Sequence, residues 1–236
     1  LKVVDHLQIL AITIDLDDTL WPVMPALERA DRDINDYLRQ HYPEVAKTWP
    51  IPALRELRAR VAAERIDLAH DFTAQRYITM QRAFDACGIS EAPLDAMWEV
   101  FAAARNAVEL YPDALPALER LCAAWPVASL TNGNADLERI GLHLHFAHRI
   151  CARDVGVLKP DARIFFAAAQ KLGVAPEHIL HVGDDPVLDV VGAREAGMRT
   201  AWINRAGHPW PAALGAAPDL DLRDLAGLVQ WLESRT

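Results

Sequence analysis

Residues 9 to 14 read Ile-Leu-Ala-Ile-Thr-Ile, and the run stops abruptly at Asp15-Leu16-Asp17-Asp18-Thr19. A β-rich stretch without polar alternation has no face to offer to water, so it fits a strand covered on both sides, as in a parallel sheet packed between helices. The acids at its end then belong in a crevice at the carboxyl edge of that sheet. Later segments repeat the pattern. Val127 to Leu130, Arg149 to Ala152, Ile179 to Val182 and Thr200 to Ile203 read as strands, with helical stretches near 114–124, 135–142, 161–172 and 187–197 between them. Strands alternating with helices at this spacing predict an α/β fold, a Rossmann-like doubly wound parallel sheet. A last segment, Pro218 to Leu222, leads into a terminal helix with Leu225, Leu228, Val229 and Leu232 on its apolar face.

Between the first strand and the second, the periodicity is helical. Leu54, Leu57, Val61 and Leu68 share a face, as do Tyr77, Met80, Phe84 and Cys87, and then Leu94, Met97, Trp98 and Phe101. With a first helix near Leu27 to His41, this predicts an insert of about four helices. Tyr42-Pro43, Pro50-Ile51-Pro52, Cys87-Gly88 and Tyr111-Pro112 separate the helices and close the insert. The expected division is therefore a core of residues 1–24 and 111–236, with a helical-bundle cap of 25–110 inserted after the first strand.

Composition narrows the partners. The 236 residues carry a net charge of -9 without a basic stripe, which argues against a nucleic-acid partner. No apolar run is long enough to span a bilayer, and the N-terminus has no charged-then-apolar leader, so no membrane partner and a cytoplasmic location are expected. Cys87, Cys122 and Cys151 show neither C-x-x-C spacing nor a ligand cluster, and reduced, buried thiols are expected. His143, His145 and His148 lie close together without a completing acid or cysteine, which fits a solvated loop.

Polar clusters follow the predicted strands: Asp15 to Thr19, then Thr131-Asn132-Gly133, then Lys159-Pro160, then Gly183-Asp184-Asp185 with Asp189. Taken singly, these are ordinary turn and helix-cap residues. Together they bring several carboxylates to one crevice, where repulsion calls for a cation. An all-oxygen donor set favours magnesium (Mg2+) over zinc. Lys159, one of four lysines against twenty arginines, and the Thr131 hydroxyl supply donors for an anion. A metal pole beside an anion pole suits phosphoryl transfer.

The four clusters resemble the motifs of the haloacid dehalogenase superfamily, and the resemblance covers nearly the whole chain. It implies a mobile cap of that superfamily's first cap class at the helical insert. By the same resemblance, Asp15 attacks phosphorus, Asp17 protonates the leaving oxygen and then activates water, and Thr131, Asn132 and Lys159 bind the phosphoryl group. Asp15, the Asp17 carbonyl and Asp184 would hold the metal. Asp185 or Asp189 would act through water or by orienting Lys159, and Asp18 reads as structural.

The namesake dehalogenases work without metal and typically lack an acid at the position of Asp17. A phosphatase acting on small phosphorylated metabolites is thus expected, with a phosphomutase, a 2-haloacid dehalogenase or a catalytically retired metabolite-binding scaffold as alternatives. Leu130-Thr-Asn-Gly-Asn-Ala135, Ile179-Leu-His-Val-Gly-Asp-Asp185 and Gly192-Ala-Arg-Glu-Ala-Gly-Met198 resemble the bacterial flavin mononucleotide phosphatases, which also act on a phosphoribitylaminouracil of riboflavin synthesis. His70, Phe72 and Arg76 fall in a stretch similar to theirs and are the candidate specificity residues. A monomer or homodimer is expected.

Overall fold

In the computed structural model, which describes residues 8–235, the first apolar run forms β1 (Ala11–Ile14), buried at every position. Five more strands follow: β2 (Val127–Thr131), β3 (His148–Cys151), β4 (Ile179–Gly183), β5 (Arg199–Ile203) and β6 (Leu220–Leu222). They form one parallel sheet in the order β3-β2-β1-β4-β5-β6, with Ile12 opposite Val127 on one side and Leu180 on the other. The chain leaves β1 toward β2 and β3, then crosses back to β4. The carboxyl ends of β1 and β4 therefore flank the switch point, where such sheets open a crevice.

Helices cover this sheet because their apolar stripes match it. Helix Ala162–Leu172 buries Ile164, Phe165 and Ala168 against a core that includes Leu130, Ile150 and Ile179. Complete burial of such a side chain contributes about 1.5–3 kcal/mol. Asp161 caps this helix by accepting from Arg163 N at 2.9 Å, and left-handed Gly173 ends it. The expected helix at 187–197 begins as a π-helical turn, Pro186–Val191, and becomes α-helical over Gly192–Glu195.

Within the sheet unit, the chain's two ends around the insert are fastened together. Tyr111 N donates to the Leu20 carbonyl at 2.9 Å. Arg205 donates to both oxygens of Asp113, at 2.9 and 3.0 Å, and to the Thr19 carbonyl at 2.9 Å, with its guanidinium 3.7 Å over the Tyr111 ring.

The chain separates into two compact units, residues 1–22, 109–133 and 142–236 in one, and 23–108 with 134–141 in the other. The second is helical. It contains Val23–His41, Pro43–Thr48, Ile51–Glu64, Phe72–Asp85 and Leu94–Asn106, five α-helices from 23 to 106 rather than four. Tyr42-Pro43 was read only as a break, but proline lacks the N–H that the first turn leaves unpaired, so Pro43 also starts a helix. Pro25 sits in the first turn of Val23–His41 for the same reason. Leu68 does not continue the Leu54, Leu57, Val61 face; it lies in the 3-10 turn Ile66–Leu68 after the helix has ended.

Ile34, Leu38, Leu57, Phe84, Met97 and Phe101 form the apolar centre of the helical unit. Residues 134–141 belong to it because Asn106 accepts from Asp136 N at 2.7 Å and Arg139 pairs with Glu99 at 2.7 Å. The three cysteines are free and half-buried rather than buried. His148 stands exposed on β3, outside any loop. Among the described residues, no helix is long and apolar enough to cross a membrane.

Candidate active site

Asp15 follows directly on β1, and its N–H donates to the Val182 carbonyl of β4 at 2.9 Å, so pairing of the two central strands fixes its backbone. Its carboxylate accepts from Lys159 Nζ at 2.5 Å. Lys159 also donates to Asp189 Oδ1 at 2.6 Å, and all three side chains are nearly inaccessible. Burial works against the lysine's charge, yet Asp15 and Asp189 more than offset it and hold the ammonium above its ordinary range.

Asp189 is the better-compensated acid. Burial alone would raise its pKa, but Lys159 and His181 hold it far below the usual carboxylate range. Its Oδ2 accepts from Asp185 N at 3.0 Å. His181 on β4 lies 3.0 Å from Asp189 Oδ1 through Nε2 and 2.8 Å from the Thr13 hydroxyl through Nδ1. Burial keeps this imidazole neutral, so Nε2–H donates to Asp189 while Nδ1 accepts from Thr13. Neither His181 nor Thr13 was expected at the site. The available signal was a polar ring inside an otherwise apolar strand, Ile179 to Val182.

Asp15 and Asp184 carry the opposite perturbation. Burial raises Asp15 well above the usual range, and neighbouring Asp189 and Asp184 add to the effect that Lys159 opposes. Asp184, at the end of β4, is pushed up to about 7 by burial first and Asp189 second. It accepts from Thr19 Oγ1 at 3.1 Å. Carboxylate oxygens of Asp15, Asp184 and Asp189 all lie within 4.8 Å of one another, a set that fits a hard, oxygen-liganded cation.

Asp185 and Asp189, undivided in the sequence, are distinguished here. The Asp185 carboxylate accepts from Val187 N and Leu188 N at 2.7 and 2.8 Å, capping the turn that follows, whereas Asp189 holds Lys159. Gly183 makes this possible: a Cβ there would stand 2.2 Å from Asp189 Cγ. Asn132, expected as a phosphate-binding residue, has its side-chain amide engaged with the chain itself. Both ends of its amide bond the Lys159 backbone, accepting from N at 2.7 Å and donating to O at 3.1 Å, so it positions the lysine. Thr131, at the end of β2, accepts from Gly133 N at 2.9 Å and keeps its own hydroxyl proton for another acceptor.

The turn after β1 places the remaining acids. Asp18 adopts a left-handed backbone, φ 61°, and its N–H donates to the Trp21 carbonyl at 2.7 Å. That turn brings Trp21 Nε1 to the Asp17 carboxylate at 2.8 Å. Asp17 is thus oriented two residues beyond Asp15, while its side chain lies outside the three-carboxylate set. His70, Phe72 and Arg76 belong to the helical unit: His70 is half-buried, Phe72 is exposed, and Arg76 is buried with its guanidinium 3.6 Å over the Phe101 ring.

Comparison with known proteins agrees with this constellation. The chain is 32% identical to the 5-amino-6-(5-phospho-D-ribitylamino)uracil phosphatase YigB of Escherichia coli, over 95% of this chain and 97% of that protein. It is also 34% identical to an (S)-2-haloacid dehalogenase of Pseudomonas putida, over 52% of this chain and 56% of that one. The crystal structure of a 2-haloacid dehalogenase from Pseudomonas syringae pv. Tomato superposes with a TM-score of 0.90 at 34% identity, covering 97% of this chain and all of that one. The haloacid dehalogenase-like hydrolase family model matches residues 9–197, which contain all four polar clusters. With its acids and lysine gathered at the switch point of the sheet, the chain belongs to the haloacid dehalogenase-like hydrolase family.

Proposed function

We propose that the protein is a magnesium-dependent phosphatase of small phosphorylated metabolites, acting through an aspartyl-phosphate on Asp15. The reading is carried by the carboxylates of Asp15, Asp184 and Asp189, gathered within 4.8 Å, with Lys159 bonded to two of them and Asp184 left without a bonded cation. Magnesium, held by Asp15, the Asp17 carbonyl and Asp184, would neutralise this charge and the charge of a bound phosphate.

The chain's own groups divide the remaining work. Asp15 Oδ attacks phosphorus, and Lys159 and the Thr131 hydroxyl hold the phosphoryl oxygens. Asn132 and Asp189 keep Lys159 in place. Asp17, steered by Trp21, gives its proton to the departing oxygen and later takes one from the water that hydrolyses the intermediate. An acid at this position distinguishes the phosphatase reading from the dehalogenase one. Halide leaves without a proton, whereas an alkoxide gains roughly a hundredfold or more from a general acid.

The near-full-length similarity to a phosphatase named for a ribitylaminouracil phosphate supports polyol phosphates of that type, flavin mononucleotide among them, as substrates. Phosphate release from para-nitrophenyl phosphate and flavin mononucleotide tests the reading. Activity should need added magnesium, vanish with chelator and fall more than about a thousandfold in Asp15→Asn. Chelator-insensitive halide release from 2-chloropropionate, without phosphate release, would refute it.

A further inference from the structure

Arg76 is in an unusual position for a cation. It is 8% exposed, at the third residue position past Thr73 on helix Phe72–Asp85, and forms no hydrogen bond or ion pair with any described residue. Phe101 covers one face of the guanidinium at 3.6 Å, which leaves the N–H edge of the fork unused. That side chain lines a small pocket of the helical unit, open to solvent, whose wall includes Arg55, Arg58, Asp31 and Thr79.

Charge in this pocket is unbalanced. Asp31 is its one acid and is bonded to Arg55 Nε at 2.7 Å. Arg58, half-buried on helix Ile51–Glu64, makes no hydrogen bond or ion pair with a described residue either. Three guanidinium groups thus line one cavity against the single carboxylate of Asp31, which is bonded to Arg55, in a chain whose net charge is -9. Taking an ion out of water is costly unless an opposite charge meets it, and a planar fork is matched best by the paired oxygens of an oxyanion. Burial pushes Arg76 down to about 9, with Arg58 adding to the effect and Asp31 opposing it, and the group stays protonated at neutral pH.

We propose that this pocket of the helical unit is a binding site for a small oxyanion, a carboxylate or phosphate group, held by Arg76 with Arg58 beside it. Its lining residues all belong to the helical unit, whereas the three carboxylates and Lys159 belong to the sheet unit. It stands whether or not the protein is a phosphatase, since it rests on residues of the helical unit alone.

Titration of inorganic phosphate and of acetate into the metal-free full chain tests this, read by the Nε–Hε resonance of Arg76 in NMR spectra and by melting temperature. One or both anions should shift that resonance saturably and raise the melting temperature. A Lys159→Met variant should keep this binding, which separates it from phosphate held in the sheet unit. Arg58→Gln, at a half-exposed position, should weaken binding about tenfold or more, and Arg76→Met should abolish it. If Arg76→Met does not fold, Arg58→Gln and the Arg76 resonance still decide the matter. Preference for acetate assigns the site to carboxylates, and preference for phosphate assigns it to phosphate groups. A resonance that moves only linearly with salt, or binding lost in Lys159→Met and unchanged in Arg58→Gln, would overturn the proposal.

Discussion

Asp184→Asn removes a carboxylate whose charge the fold opposes. Burial and Asp189 push Asp184 up to about 7, whereas an unfolded aspartate titrates near 3.8. Below about pH 4 both states hold the proton and nothing is lost. Between pH 4 and 7 the unfolded chain releases its proton and the folded one does not, so wild-type stability falls with rising pH and levels off above 7. At about 1.4 kcal/mol per pH unit, this difference corresponds to ~4 kcal/mol. Relaxation and water around a partly exposed group reduce it, so we expect ~2–4 kcal/mol at pH 8 and ~1 kcal/mol at pH 5.

Asn keeps an acceptor for Thr19 Oγ1 and carries no charge. In chelator at pH 8, Asp184→Asn should therefore melt above wild type, by about 5–15 °C for a chain of this size. The gap should narrow at pH 5. Magnesium should raise the wild-type melting temperature at pH 8, by about 3 kcal/mol of stability at a hundred times its dissociation constant, and should do little for the variant. Melts at both pH values, with chelator or magnesium, provide the check. A variant that melts at or below wild type in chelator at pH 8 would refute the assignment of strain to this carboxylate.

Asp17→Asn should slow hydrolysis of an alkyl phosphate by about a hundredfold or more and of para-nitrophenyl phosphate much less, because nitrophenolate leaves without a proton; equal losses would remove Asp17 from proton transfer. Gly183→Ala must displace the Asp189 carboxylate from Lys159 and His181, since the new Cβ would stand 2.2 Å from Asp189 Cγ. Disturbing that buried pair should cost about 3–5 kcal/mol in denaturant melts, and an unchanged midpoint would show that Asp189 moves freely. Phe72→Ala, at a side chain that is 40% exposed, should alter the ratio of turnover on flavin mononucleotide to that on para-nitrophenyl phosphate, with the fold unchanged by circular dichroism. An unchanged ratio would remove Phe72 from substrate selection.

The α/β fold was legible because strands buried on both faces are written as unbroken apolar runs. Ile12, Leu130 and Val182 lie where those runs placed them, and the polar residues ending each run stand at one edge of the sheet. The three carboxylates were each named from the sequence, Asp189 as a residue acting through water or orienting Lys159. What the sequence left undivided was Asp185 against Asp189, since the turn begun by Pro186, which no periodicity announces, decides which of them reaches Lys159. The bonds of Asn132 to the Lys159 backbone were not legible, because a side-chain amide bonded to a backbone 27 residues away leaves no local signature. His181 and the Arg205–Asp113 pair escaped for the same reason: their partners are set by strand order, which spacing along the chain does not reveal. Arg76 stood out as a specificity candidate, yet its burial beneath Phe101 depended on the angle at which two helices meet.

The fastening of Leu20 to Tyr111, with Arg205 bound to both Thr19 and Asp113, has a consequence for how the chain tolerates change. Residues 21 to 110 form a loop whose ends are tied within the sheet unit itself. Closing such a loop costs entropy that grows only logarithmically with its length, about 0.6 kcal/mol for each doubling. Lengthening or shortening a helix between those ends therefore leaves the spacing of Asp15 and Lys159 almost untouched. The segment is free to vary in size and sequence while the sheet and its acids stay fixed.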